Sequence, residues 1–182
     1  MNMYPNIHIN MKLYSKLDVK KYEDEYDIVI DYEDYTNLIN ADNKELLCTL
    51  SNIFVSGKEL SKNYEFVVSI KELGNTKLIS MCPNKKNGKF QKMFFENGIL
   101  FENVISINDS ILSKELVKNN LGLCFGNKEF FKEEIASGEI KEIKVTEELF
   151  NDNIYIVHKK SKNSKNISRF INILKKQYKE EL

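Results

Sequence analysis

Strand-like and helix-like segments take turns along almost the whole chain, and this alternation limits the folds open to it. Residues 7–14 place Ile7, Ile9, Met11 and Leu13 on one face, with His8, Asn10 and Lys12 between them. That period of two predicts a half-buried strand. Residues 15–25 read as a short charged helix with Leu17, Val19 and Tyr22 facing inward. Residues 26–31 form an apolar run between acids, which reads as a buried parallel strand. Residues 46–56 make another strand, stopped by the turn signal Ser56-Gly57. Further strands are expected at 78–81, 104–107, 121–125, 140–145 and 154–157.

Helices are expected between these strands. Ser69-Ile70-Lys71-Glu72 is a capping box, and Gly74 closes its short helix. Residues 83–98 read as a loop, then a helix carrying Phe90, Met93 and Phe94. Asn108, Asp109 and Ser110 offer N-cap oxygens to a helix that runs to about Asn119. Asn127 caps a helix ending at Ser137-Gly138. Residues 164–182 carry one apolar stripe of Ile167, Phe170, Ile171, Leu174 and Tyr178, which packs on a core. The pattern predicts an α/β fold with mostly parallel sheets. No repeat and no Pro/Gly/Ser linker divides the 182 residues, so any two lobes are joined by extended strands.

Charge narrows the function. The 27 Lys+Arg balance the 27 Asp+Glu, which argues against a nucleic-acid-binding module and against attraction to an anionic membrane. No apolar run approaches the ~20 residues of a membrane helix. The N-terminus lacks a basic region followed by an apolar one, so no signal peptide is expected and the cytoplasm is the expected location. Arg169 is the single arginine and alanine is scarce, while Lys, Asn and Ile abound. That is the mark of an AT-rich genome, and Asn- and Lys-rich stretches are discounted as functional signals.

Catalytic chemistry is hard to find. Cys48, Cys82 and Cys124 have no CxxC spacing, and His8 and His158 sit in strand-like runs. They read as buried small residues and strand residues, with no cluster at metal-ligand spacing. Glycine-rich phosphate loops and a GxSxG elbow are absent from the sequence. The acids at 23–25 and 33–34 read as solvated faces, and the basic run 159–165 as an exposed loop. No enzyme, metal or cofactor is expected.

Six short motifs, in order, resemble the effector-binding domain of LysR-type transcriptional regulators. Tyr4-Pro5-Asn6-Ile7-His8-Ile9 resembles the family's "yPnvxi", and Tyr26-Asp27-Ile28-Val29-Ile30 its "lDlai". Ser69-Ile70-Lys71-Glu72-Leu73 is similar to "sleDL", and Leu116-Val117-Lys118-Asn119-Asn120-Leu121-Gly122-Leu123 stands where the family has "lVaaGlGi". Ile135-Ala136-Ser137-Gly138-Glu139-Ile140 resembles "lasGxL", and Ile154-Tyr155-Ile156-Val157-His158-Lys159 resembles "lylvyrk".

The resemblance implies a two-lobed type II periplasmic-binding-protein-like fold with a ligand cleft between the lobes. Lobe I would be 1–56 plus 153–182, and lobe II 57–152. The family's helix-turn-helix has no counterpart, and the first strand and helix of lobe I are missing from the match. A truncated member is therefore expected, with no direct DNA contact. Its partners would be a small-molecule effector and a second copy in a homodimer.

Ligands of open α/β sheets bind beyond the carboxyl ends of strands, near helix N-termini that favour anions. The candidate ligand-binding residues are accordingly Tyr32, Thr49, Ser80, Met81, Cys82, Asn108, Asp109, Ser110, Phe125 and Gly126. Asp109 counts against an anionic group beside it. Asn108 to Ser110 serve equally as plain helix caps, Tyr32 and Thr49 as packing residues, and Cys82 as a filler or a redox-sensing thiol. The expected function is effector sensing for transcription regulation. A solute-binding protein or an enzyme on the same bilobal fold is the alternative, since fold does not fix function.

Overall fold

The computed structural model describes residues 9–11, 26–80, 89–96, 98–99, 101, 103–107, 109–158 and 164–180. The expected strand at 7–14, the helix at 15–25, the loop after Ser80 and the basic run after His158 lie mostly or wholly outside these residues. The chain forms two compact units. One comprises Met1–Thr49 with Asp152–Leu182, and the other Leu50–Asn151.

In the first unit, strand β1 (Ile28–Tyr32) leads directly into a one-turn helix α1 (Glu33–Thr36). Strand β2 (Asn43–Gly57) begins here and passes into the second unit. Strand β7 (Asn151–His158) and helix α6 (Ser164–Glu180) complete the set. β1 pairs β7 antiparallel, with Ile28 opposite His158 and Tyr32 opposite Ile154. This corrects the expectation of a buried parallel strand. An apolar run fixes burial but not partner direction, and the partner here is not reached through a single crossover helix. Nor is burial complete, since Ile30 is exposed. The core is Ile156, Ile167 and Ile171, with Ile28, Leu47 and Leu174 packed against it. Ile167, Ile171 and Leu174 are spaced by four and three, as one face of a helix requires. Tyr178 is exposed and does not continue the stripe.

The second unit is built on β2, β3 (Leu78–Ser80), β4 (Val104–Ser106), β5 (Leu123–Asn127) and β6 (Ile140–Ile143). Its helices are α2 (Ile70–Leu73), α3 (Lys89–Glu96), α4 (Ser110–Lys118) and α5 (Lys132–Ser137). β3 pairs both β4 and β5 in parallel, whereas β2 pairs β5 and β6 antiparallel. The α/β class holds, but the sheets are mixed rather than mostly parallel. Parallel pairing appears where a helix carries the chain back over the sheet, as α3 does from β3 to β4.

Alternation along β2 feeds two cores. Phe54 joins Ile70, Leu73, Met93, Phe94 and Leu123. Its neighbours Ile53 and Val55 join Ile79, Val117, Cys124, Phe131 and Ile140. The central strands are covered on both faces, which explains their continuous apolar runs. Each such fully buried side chain contributes about 1.5–3 kcal/mol relative to exposure.

Three helix ends follow the sequence. Ser69 and Glu72 form the reciprocal capping box, with the Glu72 N–H donating to the Ser69 hydroxyl and the Ser69 N–H to the Glu72 carboxylate. Asp109 caps α4, accepting from the Leu112 N–H at 2.9 Å. Gly138 ends α5 in the left-handed region at φ 80°. Gly74 ends α2 at φ −58°, so no left-handed conformation calls for glycine there.

Asn127 stands at the N-cap position of a 3-10 turn (Lys128–Phe131), yet its side chain makes no capping bond. The expectation that Asn127 caps that helix is corrected.

Candidate functional site

In the second unit, the parallel strands β3, β4 and β5 end on one edge of the sheet, at Ser80, Ser106 and Asn127. β2 runs the other way, so Asn52 meets that edge before the strand goes on to Gly57, and it lies opposite Asn127. The Ser80 carbonyl accepts the Ile107 N–H at 2.9 Å, which ties the two strand ends together. Asp109 and Ser110 follow at the start of α4. The Asp109 carboxylate is occupied in capping, and the Ser110 carbonyl accepts the Ser113 hydroxyl at 2.6 Å. Phe125 is half-buried against Phe54 and Phe150, with ring centroids 4.9 and 5.5 Å away. Gly126 is buried and pairs with Ile53. Ser80, Asp109, Ser110, Phe125 and Gly126 thus belong to one edge. Met81, Cys82 and Asn108 lie outside the described residues.

In the first unit, the ends of β1 and β7 and the middle of β2 carry Tyr32 and Thr49, and Thr49 enters a hydrogen-bonded group. The Thr49 hydroxyl donates to the Asn153 amide oxygen at 2.9 Å, and the Asn153 amide nitrogen donates to Glu33 at 3.4 Å. The Tyr32 N–H donates to the Asp31 carboxylate at 2.7 Å.

Three residues of these edges are missing from the sequence-predicted site, although the sequence reads Asn127 as a helix cap. Asn153 links Thr49 to Glu33. Asn52 is buried at 5% exposure and donates to the Phe150 carbonyl at 3.1 Å. Asn127 carries a buried side-chain oxygen with no hydrogen-bond partner among the described residues. The available signal was an amide interrupting an apolar strand run at Asn52, masked by the abundance of asparagine.

The chemistry of both groups is hydrogen bonding. Burial pushes the Cys124 thiol up to about 12, opposed by its bond to the Phe125 carbonyl, and burial also raises Cys48. Neither favours a thiolate. Among the described residues, no group of three or more His, Cys, Asp or Glu is placed to hold a metal ion. No helix among them is long and apolar enough to cross a membrane.

The family model described as the LysR substrate binding domain matches residues 1–179. No curated relative matches the sequence. Several solved structures share the fold. The regulatory domain of MetR, a LysR family regulator from N. meningitidis, gives a TM-score of 0.73 at 13% identity, covering 96% of this chain and 81% of that chain. The apo regulatory domain of HypT from Salmonella typhimurium gives 0.67 at 15% identity, covering 88% and 80%. The Synechocystis CcmR regulatory domain, in complex with 2-PG, gives 0.66 at 13% identity, covering 87% and 78%. At such identities the likeness is one of fold.

Proposed function

The chain belongs to the LysR substrate-binding domain family, the effector-sensing part of LysR-type transcriptional regulators, and on that premise we propose that it senses a small polar metabolite. The family match over residues 1–179 is the observation that carries this reading. The effector contacts in the proposal are Tyr32 and Thr49 in one lobe, and Ser80, Met81, Cys82, Asn108, Asp109, Ser110, Phe125 and Gly126 in the other. The lobes are taken as 1–56 plus 153–182 and 57–152.

Hydroxyls, amides and a helix N-terminus at strand ends suit recognition of a polar ligand. An effector that binds one conformation better than another shifts the population towards it. The proposal contains no catalytic step, no metal and no direct DNA contact. It places the chain in the cytoplasm, as a homodimer.

Thermal unfolding with a panel of amino acids, aromatic acids, sugar acids and 2-PG tests the reading. One compound is expected to raise the transition, with millimolar to micromolar affinity, about −4 to −8 kcal/mol. A well-folded chain that binds none of them would overturn it.

A further inference from the structure

Buried polar atoms in folded proteins are nearly always paired, so each exception calls for an explanation. The Asn127 side-chain oxygen is such an exception among the described residues. Its place is specific. Asn127 ends β5 on the edge where β3 and β4 also end. Asn52, opposite it on β2, directs its amide nitrogen to the Phe150 carbonyl. An asparagine at the head of a helical turn ordinarily accepts an N–H of that turn, and Asn127 accepts none. One pair along the same face of the two strands, Phe125 lies opposite Phe54 and packs on Phe150. A carboxamide oxygen with open acceptor capacity thus stands beside an aromatic surface.

We propose that the Asn127 side-chain oxygen accepts a hydrogen bond from the effector, which therefore carries an N–H or O–H donor beside an apolar portion lying on Phe125. The inference rests on the effector-sensing reading above and adds the chemical class of the ligand. It sets a requirement that a helix N-terminus alone does not, because N–H groups select acceptors whereas Asn127 Oδ1 selects a donor.

The test uses compounds in pairs that differ by the donor: 4-hydroxybenzoate with benzoate, L-phenylalanine with 3-phenylpropanoate, and L-serine with L-alanine. Titration calorimetry on the wild-type chain is expected to favour one donor-bearing member over its partner by about tenfold or more, because an analogue without the donor leaves the buried acceptor unpaired. Asn127→Leu is expected to abolish that preference. Persistence of the preference in the variant would overturn the inference and leave the effector-sensing reading standing. Binding by no compound in the panel would remove both.

Thermal unfolding of the ligand-free proteins gives a second readout. An acceptor free in the unliganded chain predicts an Asn127→Leu midpoint equal to or above wild type. A midpoint several degrees lower would mean that the oxygen has a structural partner, and would also overturn the inference.

Discussion

Gly57 and Asn120 interlock. A Cβ on Gly57 would stand 2.5 Å from the Asn120 Oδ1 and press on the Val117 carbonyl oxygen, so the end of β2 passes directly against the end of α4. The same Oδ1 accepts the N–H groups of Glu59 and Leu60, both at 2.9 Å, where the chain leaves β2. Gly57→Ala is expected to cost about 1–3 kcal/mol through this overpacking. A shift of the urea midpoint with an unchanged slope would show it, and an unchanged midpoint would refute it.

Asn120 sits at φ 61°, in the left-handed region. Asn120→Ala loses both accepted hydrogen bonds and keeps the strained backbone, whereas Asn120→Gly loses the bonds and relieves the strain. The alanine variant is therefore expected to be less stable than the glycine variant by about 1 kcal/mol. Equilibrium unfolding of the pair measures the difference, and equal stabilities would contradict it.

Asp109 combines a demonstrated cap with a proposed ligand contact. Asp109→Ala removes the cap and is expected to cost about 1 kcal/mol. Asp109→Asn keeps an oxygen for the Leu112 N–H and is expected to retain the ligand-free midpoint. If Asp109 touches the effector, Asp109→Asn still changes the ligand-induced rise in midpoint. An unchanged rise would leave Asp109 as a cap only.

Glu45 gives the first unit an acid-sensitive tie. The hydrogen bond from Lys175 holds its carboxyl below the ordinary 4.5, against the opposing effect of burial, with further help from the Lys175 charge and from His158. His158 Nε2 lies 3.9 Å from the carboxylate. Because the folded value lies below the unfolded one, this stabilisation is complete above the unfolded value and is lost as pH falls through the folded one. Glu45 is 42% exposed, so the tie is worth at most about 1 kcal/mol. Glu45→Gln is expected to be the less stable protein at neutral pH, with the difference closing as pH falls through the folded value. Parallel pH profiles for the two proteins would argue against it.

Cys124 is fully buried, with its thiol held in the protonated form. Maleimide labelling followed by peptide mass mapping is expected to find Cys124 unmodified in the native protein and modified in urea. Native-state labelling at Cys124 would show that β5 opens readily.

The capping box at Ser69, the Asp109 cap and the Ile167–Ile171 spacing were legible because they are local. Ser69 with Glu72, Asp109 with Leu112, and Ile167 with Ile171 each lie within four residues of one another. Strand direction was not legible at β1, since its partner β7 lies more than a hundred residues away. The edge holding Ser80, Asp109, Ser110, Phe125 and Gly126 followed from the rule for strand ends. Asn52 and Asn153 did not, because the abundance of asparagine hid them, and Asn127 reads only as a helix cap. What separates these three is burial or partnership, which only the fold supplies.

Asparagine codons are AT-rich and glycine codons GC-rich, so an AT-rich genome favours a trade of glycine for asparagine through two successive base changes. The pair that opened this section shows where the trade ends. At position 120 asparagine is at home, since it tolerates the left-handed backbone and its amide anchors the neighbouring turn. At position 57 a side chain would meet the Val117 carbonyl and the Asn120 amide, so that position is closed to the trade. A change at either of these two positions is therefore felt at the other, although they lie at the ends of different elements.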